Sequence, residues 1–256
     1  VCQPTQRKLF PLPGPGRALA ISCVLACLAA SVGCGVASHG RNVEGVRLYQ
    51  QGKYQEAVAR FQSALQASPN NAEAYYNLAA TYHQTAKVSG SKADLDTAES
   101  YYNQAIDKDP NQVDAYRGLA VLLTDEHRKD DAYRLLQGWV DRSPTLASPR
   151  IELARLYEES GDREKAISYL QNALTIDPYD SRALAALGRL HEQVGNPSQA
   201  LADYQRSLWY NKFQPDVAAR VAALQTAINP QPLTTPGATR TVTAPAAPAA
   251  PTVPIR

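Results

Sequence analysis

Cysteine is confined to the first 34 residues of this 256-residue chain, at Cys2, Cys23, Cys27 and Cys34. The rest of the chain therefore offers neither a disulfide nor a thiolate metal site. Acidic residues are missing from both ends: none precedes Glu44 and none follows Asp216. Histidine is scarce, with His39, His83, His127 and His191 as the whole supply, and no two stand at metal-ligand spacing. Neither a glycine-rich phosphate loop nor a nucleophile elbow occurs. The carboxylate pairs Asp125-Glu126, Asp130-Asp131 and Glu158-Glu159 are adjacent in sequence. On a helix such neighbours point about 100° apart, so they read as solvated faces and not as acid/base pairs. These absences point away from a cofactor site, a metal centre and the common enzyme classes, and the expectation is a protein that is not an enzyme. The formal net charge is only +2, which leaves no electrostatic footprint for nucleic acid.

The two ends differ from the middle. Arg7, Lys8 and Arg17 precede an uncharged run, Ala18 to Ala30, closed by Ser31-Val32-Gly33-Cys34. A basic start, a short apolar run and small residues at its end mark residues 1–33 as a secretory signal segment. Without it the chain carries 23 basic against 24 acidic residues. A cysteine directly after the small residues resembles a bacterial lipoprotein signal, in which the leader is cut and lipid is attached to the cysteine, here Cys34. The resemblance departs from the pattern at Ser31, where leucine is preferred, and Cys27 is a second candidate. A plain cleaved signal and an uncleaved anchor stay open, since Ala18 to Val36 is long enough to cross a bilayer. At the other end, residues 229–256 hold seven prolines and no acid. This composition suits a disordered, partly polyproline II tail, either a spacer or a proline-rich ligand.

Between the ends the sequence repeats. YQEAVARFQSALQASPNN, Tyr54 to Asn71, returns as REKAISYLQNALTIDPYD, Arg163 to Asp180. Ala57, Ala98, Ala132, Ala166 and Ala200 lie 41, 34, 34 and 34 residues apart, and Pro69, Pro110, Pro144 and Pro178 keep the same steps. Four residues after each alanine stands a larger side chain: Phe61, Tyr102, Leu136, Leu170 and Tyr204. Three further on come Ala64, Ala105, Trp139, Ala173 and Ser207. Upstream recur Gly45, Ala79, Ala120, Ala154 and Gly188, each followed three later by Leu48, Tyr82, Leu123, Tyr157 and His191. The seven extra residues of the second unit fall between Pro69 and Ala98, and Lys87 to Asp96, polar with a central glycine, reads as a lengthened turn.

This pattern resembles the tetratricopeptide repeat family, whose 34-residue unit is a pair of antiparallel helices. The resemblance implies an all-α, right-handed α-solenoid of about five helix pairs. The units run over 38–71, 72–112, 113–146, 147–180 and 181–214, with residues 34–41 as a short tether. Small side chains on both helices let the axes approach while a large neighbour fills the gap beside them. Residues 215–228 carry Val217, Val221, Leu224 and Ile228 on one helix face and read as a capping helix.

In this family the first helices line a concave groove that holds peptides or helices of protein partners. The resemblance therefore implies a partner-binding groove at first-helix residues off the packing stripe. These are Asn42, Tyr49, Tyr76, Asn77, His83, Arg117, Val121, Asp125, Arg155, Glu158, Arg189 and Glu192. Tyrosine and arginine anchor interfaces well, and Arg117, Arg155 and Arg189 favour an acidic strip or a terminal carboxylate. The lysine/asparagine clamp of chaperone-binding members is not found. The expected function is a membrane-anchored interaction scaffold at a bacterial cell envelope, periplasm-facing, with Cys34 lipidated. Three rivals are an adaptor held by an uncleaved N-terminal helix, a hydrolase or transferase built on helical repeats with His83, Asp125 and Glu158 as its candidate residues, and a self-assembling module in which Trp139, Trp209 or Tyr210 covers a dimer patch.

Overall fold

Residues 38–228 are described by the structure, a computed structural model; the expected signal segment, Cys34 and the proline-rich tail lie outside the described residues. Eleven helices and no strand occur among them. The first helices of the pairs are α1 (residues 38–50), α3 (Ala72–Ser89), α5 (Val113–Asp125), α7 (Ser148–Glu159) and α9 (Ser181–Gln193). The second helices are α2 (Tyr54–Ala67), α4 (Lys92–Lys108), α6 (Lys129–Arg142), α8 (Arg163–Ile176) and α10 (Pro197–Tyr210), and α11 (Pro215–Ile228) follows. From α2 onward each helix packs on its chain neighbours, and α5 also touches α3 and α7. A stack with only such local contacts is a solenoid.

The repeating small and large side chains form the core. Ala57, Phe61 and Ala64 are the buried residues of α2, and the matching triplets are buried in α4, α6, α8 and α10. Gly45 and Gly188 face the rings. A methyl group built on Gly45 would lie 2.5 Å from Phe61, and one on Gly188 would lie 2.8 Å from Tyr204. Inside a helix, glycine costs about 1 kcal/mol relative to alanine, so close approach of the axes is what these two positions gain. The core is continuous along the stack. Tyr102, Tyr116, Leu136 and Leu156, from four successive helices of the α4–α7 stretch, belong to one buried cluster, and α11 closes the end with Leu224 against Ala200 and Tyr204.

Trp139 breaks the small-residue pattern and is fully buried. Its indole stacks on Tyr116 at 4.0 Å, with the ring planes 3° apart. Arg142 donates to the Tyr116 hydroxyl at 3.0 Å. Two flat rings lying face to face thus fill the place that a small residue takes in the other units. The expected dimer patch loses Trp139 for this reason.

The seven extra residues of the second unit do not form a lengthened turn. They extend both helices, so that α3 has 18 residues and α4 has 17, against 12 to 14 in the next two pairs. Gly90, with φ 72°, ends α3, and the Ser91 hydroxyl accepts from the Asp94 amide at 3.2 Å to start α4. A cap of this kind contributes about 1 kcal/mol. The lengthened pair then reaches the α5–α6 turn through Lys87–Asp125 at 2.8 Å, Lys92–Glu126 at 2.5 Å and Arg128–Glu99 at 2.7 Å.

The turn after each first helix requires a left-handed residue. Glycine supplies it after α1, α3, α7 and α9, but His127 takes φ 61° after α5. An L-residue with a β-carbon is disfavoured there by about 1–2 kcal/mol, partly offset because glycine loses more freedom on folding. His127→Gly is expected to stabilise the array by about 0.5–1 kcal/mol. Thermal unfolding should show a rise in Tm of about 2–4 °C; an unchanged or lower Tm would remove the strain assignment.

Candidate functional site

Among the described residues the first helices stand side by side and line a trough with at least four recesses. The first, about 220 Å³, is walled by Val46, Tyr49, Gln50, Phe61, Tyr76, Asn77 and Ala80, with no charged residue. The second, about 210 Å³, shares Tyr49 and Tyr76 with it and adds His83, Lys87, Tyr102, Arg117 and Val121. The third, about 220 Å³, shares Arg117 and adds Glu152, Arg155, Glu158, Arg182 and Arg189. The fourth, about 290 Å³, shares Arg189 and runs to Val217 and Arg220 on α11. Shared walls make the four one continuous surface from α1 to α11.

Most of the sequence-derived candidates meet there. Tyr49, Tyr76, His83, Arg117 and Val121 wall one recess, while Arg117, Arg155, Glu158 and Arg189 wall another. Asn77 walls the first. Asn42 does not fit the expected role. It is 1% exposed and accepts a hydrogen bond from Asn77 Nδ2 at 3.0 Å, so it joins α1 to α3. Asp125 and Glu192 stand outside the recess walls, Asp125 on Lys87 and Glu192 on Arg220, whose Nε donates at 3.1 Å.

Glu152 is the main residue that sequence reasoning missed. It is 1% exposed, and its carboxylate takes both prongs of Arg117, at 3.0 Å and 2.6 Å, and Arg155 Nε at 3.3 Å. A buried carboxylate is tolerable only with such partners. Arg155 also pairs with Glu159, and its Nη2 is buried with no acceptor among the described residues. Arg189 donates to Glu158 at 2.9 Å and 2.7 Å. The hydrogen bonds to Glu152 and Glu158 raise the affinity of Arg117 and Arg189 for their protons. The missed signal is spacing. Arg117 and Glu152 are 35 residues apart, as are Asn42 and Asn77, one repeat plus one residue. That step brings a side chain of one first helix against the next.

Burial also shapes the second recess. Desolvation pushes the Tyr76 and Tyr102 phenols above their ordinary range, so they stay neutral donors. His83 is buried, with Nε2 3.3 Å from Asp125 Oδ2 and its ring edge-on to Tyr102 at 6.2 Å. Desolvation lowers its pKa first and Lys87 adds to this, against the pull of Asp125 and Glu126. Among the described residues no group of three His, Cys, Asp or Glu side chains could hold a metal ion, and no helix is long and apolar enough to cross a membrane. Tyr179, Trp209, Tyr210 and Phe213 are exposed, Trp209 at 79% and Phe213 at 94%, and the rings of Tyr179 and Tyr210 lie 5.0 Å apart.

A family model described as TPR repeat matches residues 45–85, and one described as tetratricopeptide repeat matches 91–156 and 157–228. The second alone covers more than half of the 256 residues, and the chain belongs to the tetratricopeptide repeat family. The fold is similar to the crystal structure of a thermophilic TPR protein of Thermus thermophilus. The identity is 25% and the TM-score 0.55, over 73% of this chain and 98% of that one. It is also similar to a tetratricopeptide repeat protein from Parabacteroides merdae, at 15% identity and TM-score 0.54, over 72% of this chain and 70% of that one. A third likeness is to the Cut9–Hcn1 hetero-tetramer of the APC/C, at 18% identity and TM-score 0.50, over 75% of this chain and 37% of that one. No curated protein matches the chain significantly. This fold generally mediates protein–protein interaction, and its members are typically non-enzymatic scaffolds.

The His83 environment sets a pH dependence. Its folded pKa lies below the unfolded value of 6.5, so below that pH the unfolded chain binds a proton that the folded chain refuses. The contribution is neutral above pH 6.5 and becomes destabilising as pH falls toward the folded pKa. Between about pH 7.5 and about pH 5.5 the Tm of the wild type should drop further than that of His83→Gln. Equal drops in the two proteins would show that His83 titrates as in the unfolded chain.

Proposed function

We propose that the chain is a membrane-anchored scaffold that seats a peptide or helix of an envelope partner in the trough. The observation that carries this reading is the continuity of the recesses. Four successive openings share walls, and those walls present tyrosine and arginine, the side chains that most often dominate interfaces. The lengthened α3 adds Lys87 to the wall, so the one irregular unit enlarges the same surface.

The anchoring part rests on the sequence. An apolar run ends at Cys34, and only Gly35 to Arg41 separate that residue from the expected first unit. Acyl chains on Cys34 would each add about 0.8 kcal/mol of membrane affinity per buried methylene, and so hold the array close to a bacterial envelope membrane, on its periplasmic side.

In-cell cross-linking followed by mass spectrometry tests both parts. Tyr76→Ala combined with Arg189→Ala should reduce partner capture roughly tenfold if each anchor contributes modestly, with the helical circular dichroism unchanged. The same sample should yield an N-terminal peptide beginning at a diacylglyceryl Cys34. Undiminished capture contradicts the groove assignment, and an intact leader contradicts lipidation without touching the groove.

A further inference from the structure

The last corner of the stack and the segment that follows it carry matching patterns. Tyr179 lies in the α8–α9 turn, Trp209 and Tyr210 end α10, and Phe213 lies in the link to α11. The Tyr179 and Tyr210 rings lie 5.0 Å apart, and Trp209 and Phe213 stand within three residues of Tyr210, so the four residues stand at one corner. Trp209 and Phe213 are the most exposed large hydrophobic residues among those described. At 45% to 94% exposure, the four present about 400–700 Å² of aromatic surface. That equals the largest apolar patch of a typical monomer, which is often functional. None of the four walls a recess of the trough described above. The tail has a pattern finer than its composition. Pro245, Pro248, Pro251 and Pro254 follow one another in steps of three, and no charge lies between Arg240 and Arg256. Polyproline II has three residues per turn and rises about 3.1 Å per residue. In that conformation the four prolines line one edge, about 9 Å apart, as a ridge about 28 Å long.

We propose that the aromatic corner is a docking site for this proline ridge, and that its occupant is the chain's own segment 245–254. Proline-rich segments dock against aromatic side chains because the ligand is stiff beforehand and loses little freedom on binding. The connection fits the distance. Helix α11 has 14 residues and is therefore about 21 Å long. Its first turn follows Phe213 directly, and Ile228 at its far end stands about that distance from the corner. Residues 229–244, taken as a flexible chain, span about 20–24 Å. A tether whose ordinary span matches the gap gives an effective concentration of about millimolar. A second copy of the chain, or a proline-rich segment of another protein, meets the corner only at its own bulk concentration and lacks that advantage. The docked segment covers Trp209 at a site separate from the trough.

The full-length chain holds two tryptophans, Trp139 fully buried and Trp209 exposed. Acrylamide quenching of its fluorescence therefore reads the cover over Trp209, with Trp139 as a background common to all variants. The comparison is a chain carrying Pro245→Ala, Pro248→Ala, Pro251→Ala and Pro254→Ala. At a millimolar effective concentration, a segment with a Kd below that fills the site at least half of the time, so Trp209 of the wild type should be quenched at least about twofold less. These substitutions lie outside the eleven helices, and the helical circular dichroism should not change. A shifted tail, with Pro248→Ala, Ala249→Pro, Pro251→Thr and Thr252→Pro, keeps the composition but splits the ridge between two edges. It should be quenched like the alanine tail. Phe213→Ser should raise quenching with the native tail and leave it unchanged with the alanine tail. The native tail's protection should not vary with protein concentration. Equal quenching of native and alanine tails overturns the docking, and equal protection by native and shifted tails overturns the ridge. Protection that grows with concentration, with a doubled mass in light scattering, gives the corner to a second copy and overturns the proposal. Protection that appears only with vesicles of phosphatidylethanolamine and phosphatidylglycerol, whatever the tail, gives it to a lipid surface and overturns it equally.

Discussion

The structure depends on one steric relation, the meeting of a very small side chain on one helix with a large one on its neighbour. Gly188 against Tyr204 and Gly45 against Phe61 show it most sharply, because even a methyl group would collide. Ala154 beside Ala166 and Leu170 repeats it with less extreme sizes. Close axes follow, and with them dispersion contact along the whole length of each pair. A pair made this way still has an uncovered apolar face. The next pair covers it, so stability is a sum of similar neighbour terms and not one central core. Gly118 shows the same relation between units, where a methyl group would lie 2.4 Å from Tyr102.

The trough is a by-product of that stacking. First helices are held side by side at nearly fixed separation, and residues off the packing stripe are left facing a common opening. The ion pairs across it have two roles. Arg117 with Glu152 and Arg189 with Glu158 tie successive first helices together. They also set the local charge, because each carboxylate cancels some of the basic surface. The exposed pair adds little to stability by itself, about 0–1 kcal/mol. The buried Glu152 is different, since loss of a guanidinium partner would leave a desolvated carboxylate.

The packing positions were legible in the sequence because side-chain size recurs in phase over five units. Ala57, Ala98, Ala132, Ala166 and Ala200 are all fully buried. Contacts between units were harder to read. The step from Arg117 to Glu152, or from Asn42 to Asn77, is one residue longer than the repeat, and depends on how far one helix slides past the next. Asn42 therefore looked like a groove residue and is instead a buried bridge. The insertion was misread for a local reason. Gly90 between polar residues suggests a loop, yet a left-handed glycine followed directly by a serine cap needs only two residues of turn. Trp139 shows the limit of a repeat pattern, since its size is accommodated by the flat face of Tyr116, which no periodicity announces.

A double-mutant cycle on Gly188 and Tyr204, read by urea unfolding, tests the steric relation most directly. In the wild type, Gly188→Ala adds a methyl group into an occupied space and should cost about 1–3 kcal/mol. In a Tyr204→Ala background the same change should be neutral or stabilising by up to about 1 kcal/mol, because only the helix preference for alanine remains. The account predicts a coupling of at least about 1 kcal/mol; additivity within about 0.5 kcal/mol would contradict it.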